Sequence, residues 1–275
     1  MTVFAKMLQL YTARNSICTQ KVLITLAEKK LDWDQKIIDL FKNEQYDPEY
    51  LKLNPKGVVP TLVHEGVPIV ESTLICEYLD ESFPDPALRP ATPSGRARMR
   101  LWSKFIDEGI FEATREISFS AMFRERMKNM TEEQRQTRFR NVGDPERRAR
   151  YISTYEEGVE SVYVYQGIAN YEKMFKAMES DLAGGAQWLC GDRFTLGDIN
   201  LMPFIARMEY LDLLEVWTGK RPNTKAWWSR AKARPSFEEA IAGKLTADEI
   251  TAMKTHGGRI RDRVAERLAE CLSQL

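Results

Sequence analysis

Val59-Pro60-Thr61-Leu62-Val63-His64-Glu65-Gly66-Val67-Pro68-Ile69-Val70-Glu71-Ser72-Thr73-Leu74-Ile75-Cys76-Glu77-Tyr78-Leu79 passes from strand texture to helix texture in one run. Val59–Val63 and Pro68–Val70 are short apolar segments separated by Glu65-Gly66, the composition of a tight antiparallel turn. Ser72 then stands where a helix cap belongs, and Leu74, Ile75, Tyr78 and Leu79 recur at helical spacing. Phe83-Pro84-Asp85-Pro86 stops that helix. A hairpin leading straight into a helix is the closing half of a small α/β unit.

The opening half lies upstream. Met7-Leu8-Gln9-Leu10-Tyr11 is an apolar run short enough for a strand. From Cys18 to Lys30, Val22, Leu23, Leu26 and Ala27 recur one turn apart, and a second strand is expected around Lys36–Leu40. The order is therefore β-α-β followed by β-β-α on a mixed sheet, filling residues 1–86.

Ala87–Pro93, with two prolines and no period, reads as a linker, and from 94 to 275 the texture is uniformly helical. Leu101, Phe105 and Ile106, then Phe119, Met122 and Phe123, mark the apolar face of the first long helices. Asn129–Tyr155 is dense in Arg and Glu around Gly143-Asp144-Pro145 and reads as a solvated excursion between two long helices, with a functional lid as the other reading. Thr246-Ala247-Asp248-Glu249 is a capping box, and Ile260, Val264, Leu268 and Leu272 follow four apart on an expected docked helix.

Bulk properties narrow the function. The 275 residues are 43% hydrophobic and 10% aromatic, enough for two cores. Lys+Arg and Asp+Glu both total 40, so no net field draws the chain to nucleic acid or to an acidic membrane face. Cys18, Cys76, Cys190 and Cys271 are scattered and His64 and His256 lie far apart, a spacing without a zinc or disulfide framework. The N-terminus lacks an apolar signal core and no stretch reaches the roughly 18 apolar residues that span a bilayer, so a cytoplasmic protein without metal is expected.

Three local patterns resemble the glutathione transferase superfamily. Tyr11-Thr12-Ala13-Arg14-Asn15-Ser16-Ile17-Cys18-Thr19-Gln20-Lys21-Val22 is similar to the turn from the first strand to the first helix in its serine-type classes. Asn54-Pro55-Lys56-Gly57-Val58-Val59-Pro60-Thr61-Leu62 with Glu71-Ser72-Thr73 resembles its glutathione-holding segments. Gly191-Asp192-Arg193-Phe194-Thr195-Leu196-Gly197-Asp198 resembles its buried capping motif in the helical domain. Glu71–Leu79 and Leu88-Arg89-Pro90-Ala91 look closest to bacterial glutathione-dependent β-etherases, although Arg14–Thr19 replaces their glycine-rich run. The resemblance implies a thioredoxin-like glutathione domain, an all-α domain for a hydrophobic electrophile, and a homodimer.

It also assigns residues. Glutathione is the co-substrate. A free thiol has a pKa of about 8.5, so it must be ionised to react at neutral pH. A hydroxyl at a helix start can donate to the sulfur while the helix end favours an anion. Ser16 matches the catalytic position, and a plain helix cap is its competing role. Thr19, one turn on, is its rival, and Asn15 could assist through its amide. Val59 and Pro60, joined by a cis bond, would pair with the cysteinyl backbone, Glu71 and Ser72 would receive the γ-glutamyl end, and Gln45 matches a glycyl-end residue or else is a solvated loop glutamine. The second pocket is expected beside Ser16 and the first long helix of the α domain, with Trp102, Phe105, Phe111, Phe119 and Phe123 as candidates. An aromatic stripe is more often core than pocket, so only about two of these would line it.

Two other functions compete. A thiol-disulfide reductase or isomerase would use Cys18, yet Ser16-Ile17-Cys18-Thr19 puts hydroxyls at both sulfur positions of the usual Cys-x-x-Cys frame. A non-catalytic glutathione-binding or scaffold protein would keep the fold without ionising the thiol. Cys76, in an apolar helical stretch, is expected in the core.

Overall fold

The computed structural model describes residues 8–273; Met7 of the expected first strand and the N-terminal segment before it lie outside the described residues. The chain divides into two compact units. Among the described residues, the first comprises 8–103, 187–203 and 228–245, and the second 104–186, 204–227 and 246–273.

In the first unit, β1 (Leu8–Thr12), α1 (Ile17–Glu28) and β2 (Trp33–Ile37) form the opening half. A short α2 (Pro48–Leu53) follows, then β3 (Thr61–His64), β4 (Val67–Val70) and α3 (Ser72–Ser82). The sheet order is β2-β1-β3-β4, with β1 parallel to β2 and antiparallel to β3. This is the expected mixed sheet with α2 added; Asp47, whose carboxylate accepts from the Glu49 amide, and Pro48 at the first helical position mark its start.

Three boundaries differ from the sequence reading. β2 lies three residues earlier than Lys36–Leu40, because its parallel register runs from Leu8 with Trp33 to Thr12 with Ile37. The Asp39 carboxylate then accepts from the Phe41 and Lys42 amides and turns the chain away. β3 begins at Thr61, since Pro60 brings no amide proton to the ladder and the Val58 carbonyl is taken by side chains. The cap of α3 is Glu71 rather than Ser72, with φ of 68° and no side-chain hydrogen bond to the helix. The hairpin itself turns through Glu65 and Gly66, both at positive φ.

α1 and α3 pack on one another over a core that includes Val22, Leu26, Ile75, Cys76 and Leu79. A buried ion pair, Lys29 to Asp80 at 2.7 Å, joins their C-terminal ends, and Lys29 also donates to the carbonyls of Phe83 and Pro86. The unit is completed by the start of α4 (Pro93–Phe105) and by segments from later in the chain. One of these carries the capping motif: the Asp198 carboxylate, fully buried, accepts from the amides of Leu189 and Thr195 and from the Thr195 hydroxyl.

The second unit is helical. After α4 the chain continues through a π-helical turn at Ile106–Ile110, α5 (Phe111–Ser118), a second π-helical turn at Phe119–Phe123, and α6 (Arg124–Lys128). Then come α7 (Glu132–Asn141), α8 (Pro145–Glu157), α9 (Val162–Leu182), α11 (Leu214–Thr218), α14 (Ala247–Gly258) and α15 (Arg261–Ser273), while α10 (Leu196–Tyr210) and α12 (Pro222–Lys232) are divided between the two units and α13 (Pro235–Ala240) belongs to the first. α5 crosses α9 so closely that a Cβ on Gly167 would lie 3.0 Å from Ala113 Cα. Asn129–Tyr155 is not a solvated excursion. It forms α7 and most of α8, and buries Phe139 against Phe119 and Met127 with Tyr151, Ile152 and Tyr155 around them. α15 packs on α9 through Val264 and Leu268, while Leu272 remains exposed. Its arginines are engaged within the unit, Arg263 with Glu160, Glu266 and Glu270, and Arg267 with the Val159 carbonyl. Among the described residues, no helix is long and apolar enough to cross a membrane.

Candidate functional site

Strand register gathers the candidate glutathione residues. Tyr11 pairs with Thr61, and Thr61 pairs with Val70. The turn after β1, the Val59-Pro60 segment before β3 and the Glu71-Ser72 start of α3 therefore issue from the same end of the sheet, although they are scattered along the chain.

Ser16 is the N-cap of α1, with extended φ and ψ of −77° and 117°, and its Oγ accepts from the Thr19 amide at 3.4 Å. Asn15 before it sits at φ of 58°, a conformation Asn tolerates. The cap and the proposed catalytic hydroxyl are thus one atom, and a long 3.4 Å bond leaves it only weakly committed. The first turn of α1 carries no acidic residue to cancel its positive end. Thr19 is placed differently: it is 2% exposed, and its hydroxyl has no hydrogen-bond partner among the described residues. Cys18 is a half-buried thiol in no disulfide; Cys76 is fully buried, and burial pushes its pKa up to about 11.

The Val59–Pro60 peptide bond is cis. The segment before it is anchored by residues the motif reading gave no task. The Val58 carbonyl accepts from the Tyr50 hydroxyl at 2.6 Å and from Asn54 Nδ2 at 2.9 Å, and both side chains also reach the Thr61 hydroxyl. Burial raises the Tyr50 pKa, which keeps its phenol protonated as a donor. Gly57, at φ of 59°, backs onto Tyr46, whose ring a Cβ would approach to 2.9 Å. Gln45 is 8% exposed with Oε1 unpartnered among the described residues, so the solvated-loop reading does not hold.

At α3, Glu71 and Ser72 stand at an uncapped helix start whose first turn has no acidic side chain. Glu71 is exposed and bonds Lys56 at 2.5 Å, an exchangeable surface pair. Beneath this turn the buried Lys21 donates to the Thr73 hydroxyl at 2.7 Å. Nothing in the sequence pattern marks Lys21, since a lysine on α1 reads as solvated until its burial is known.

The aromatic candidates separate. Trp102 is 3% exposed in the first unit. In the second, Phe119 is a core residue of the cluster under α7 and α8, and Phe123, half-buried, packs against it with the two rings 6.3 Å apart. Phe105 and Phe111 are half-buried, and the Arg115 guanidinium lies 5.7 Å from the Phe111 ring.

Known proteins share this arrangement. Residues 15–82 match the family model of the glutathione S-transferase N-terminal domain, and residues 136–228 that of the C-terminal domain. Maleylacetoacetate isomerase of Pseudomonas aeruginosa is 30% identical over 237 residues, 85% of this chain and 95% of that protein. LigF of Sphingobium sp. is 46% identical over 103 residues, 37% of this chain; the match spans only 40% of LigF, as that to glutathione S-transferase 1 of Dianthus caryophyllus spans 41%. The crystal structure of β-etherase LigF superposes over 86% of this chain and 99% of its own, with 29% identity and a TM-score of 0.75. A glutathione transferase homologue from Sulfitobacter, crystallised with bound glutathione, shares the fold at 23% identity and a TM-score of 0.62. Two family domains in order, and a relative alike over nearly its full length, place this chain in the glutathione S-transferase family.

Proposed function

We propose that this chain ionises the thiol of bound glutathione and transfers it to an electrophilic carbon of a hydrophobic substrate, with an aryl ether as the substrate class. The observation that carries the reading is Ser16: a half-buried hydroxyl at the positive end of α1, weakly held by its own helix, at the sheet end where Val59-Pro60 and Glu71-Ser72 also emerge. The Ser16 hydroxyl donates a hydrogen bond to the glutathione sulfur and the helix end adds favourable potential, so the thiolate is stabilised over the thiol. The backbone at Val59 pairs with the cysteinyl amide, Ser72 and the first amides of α3 receive the γ-glutamyl carboxylate, and Gln45 reaches the glycyl end. A carbon–sulfur bond forms as the carbon–oxygen bond breaks. The aryl oxide leaves with the electron pair and takes up the proton the thiol released. The likeness to the β-etherase LigF supports the aryl ether class.

The test is the ultraviolet thiolate absorbance of the glutathione complex, with Ser16→Ala and Cys18→Ser compared. Ser16→Ala should lower kcat by about 10–100-fold and abolish the thiolate signal near neutral pH, because a hydrogen bond to a charged group contributes roughly 1.5–3 kcal/mol. Cys18→Ser should leave both intact. The reverse pattern would move the chain to a redox enzyme, and retention of glutathione without ionisation would leave a binding protein.

The homodimer belongs to the same proposal. Val67, Leu74 and Leu101 are 60%, 58% and 60% exposed on β4, α3 and α4 of the first unit, large apolar side chains that a second copy would cover. Four cysteines, none of them in a disulfide among the described residues, support a reducing cytoplasmic setting.

A further inference from the structure

We propose that Lys21 is a positioning residue for glutathione, a buried cation fixed through Thr73 that attracts the γ-glutamyl α-carboxylate to the start of α3. The proposal rests on the glutathione reading above and deepens it. Lys21 lies in the second turn of α1 and is 1% exposed, among the largest fully buried side chains of the molecule. Burying an ammonium is costly, so its position requires compensation. Its Nζ donates to Thr73 Oγ1 at 2.7 Å, which fixes the charge at the second residue of α3. Lys21 also acts on the buried Cys76 thiol of α3, opposing in part the effect of burial.

That turn is prepared for an anion from above as well. The long helices α1, α7, α8, α9 and α14 are each capped by a side chain, whereas α3 starts at Glu71 without one, and its first turn contains no carboxylate. A carboxylate held by the Ser72 and Thr73 amides would sit on the outer side of the turn, with the Lys21 ammonium on the inner side, separated by the Thr73 hydroxyl. The two attractions reinforce one another across the turn, whose inner side is buried at Lys21 and Thr73. A lysine on the surface would be screened by solvent and would discriminate little. The buried one makes the α-carboxylate a requirement for binding, and so selects γ-glutamyl peptides over other thiols.

The experiment is a binding cycle. Glutathione and γ-aminobutyryl-Cys-Gly, which differs only in lacking the α-carboxylate, are titrated into the full chain and into Lys21→Met by calorimetry. The natural chain should lose well over tenfold in affinity when the carboxylate is removed, and Lys21→Met should lose about tenfold for glutathione but almost nothing for the analogue, keeping only the smaller preference that the α3 amides supply. Equal weakening of both ligands by Lys21→Met would make Lys21 a purely structural residue and overturn the proposal, as would unchanged glutathione affinity. If Lys21→Met does not fold, Thr73→Val serves in its place: it removes the hydroxyl that fixes the ammonium and should cost about threefold for glutathione alone. Glutathione bound by the natural chain with no preference over the analogue sinks the role of Lys21 and leaves the transferase reading standing. Binding of neither peptide overturns both.

Discussion

Ser16 and Thr19 occupy one turn of one helix, yet the chain around them treats their hydroxyls differently. Ser16 caps α1 from a half-buried position, whereas Thr19 is closed in with its oxygen unpartnered among the described residues. A buried hydroxyl without a partner loses its hydration for no return. Thr19→Val should therefore retain full glutathione-transfer activity and unfold at the same or a higher temperature, by up to about 1 kcal/mol of added stability. A loss of thiolate absorbance in Thr19→Val would shift the catalytic role to that residue. The two were indistinguishable from their sequence positions, because helical spacing gives periodicity while the fate of each face depends on what packs against it. Gln45 illustrates the same point, since a polar residue in an irregular segment reads as solvated and is buried here.

At the scale of elements, the α7–α8 pair and the polar cluster beside it carry two expectations. Phe139, the buried apolar residue of α7, meets Tyr155 edge-on with centroids 5.9 Å apart. Phe139→Ala should cost about 3–5 kcal/mol by equilibrium denaturation and open residues 129–155 to proteolysis. A change within about 0.5 kcal/mol would mean the segment is solvated after all. On α5, Glu116 is nearly inaccessible; it accepts from Arg150 at 3.1 Å and lies near Arg115, but burial outweighs both arginines and raises its pKa from 4.5 to about 7. The folded chain then holds a proton that the unfolded chain has released, so stability falls as pH rises from about 4.5 through about 7. Glu116→Gln, neutral throughout, should gain about 1–3 kcal/mol relative to the natural chain on going from pH 5 to pH 8, read from thermal unfolding at the two pH values. A parallel offset at both would place the Glu116 titration elsewhere. Arg and Glu density concealed this arrangement, because charged side chains of a helical hairpin outnumber the few apolar residues that dock it.

For the whole molecule, the exposed Leu74 is the sharpest handle on assembly. Leu74→Glu should convert a dimer into a monomer in sedimentation equilibrium without loss of helix content, since the side chain is already 58% exposed in the single chain. A monomeric natural chain would refute the homodimer directly. Legibility at this scale divides by range. The hairpin turn at Glu65-Gly66, the Thr246 capping box and the Asp198 motif were readable because each is encoded within a few consecutive residues, where turn chemistry and hydrogen bonding act locally. The passage of α14 across Leu211 was not. A Cβ at Gly257 would fall 1.9 Å from the Leu211 carbonyl oxygen, a demand that arises only when two distant segments meet. By itself the sequence determined the β-α-β then β-β-α order of the first unit, its passage into helices, the family and the presence of a hydroxyl at the first helix start, all properties of local period and local motif. Only the tertiary structure decided which polar side chains lose water: Lys21 under α3, Thr19 inside α1, Glu116 beside Arg150. Burial is a property of packing between distant segments, and it sets whether a charge or a hydroxyl is solvated, ionised or available to a ligand.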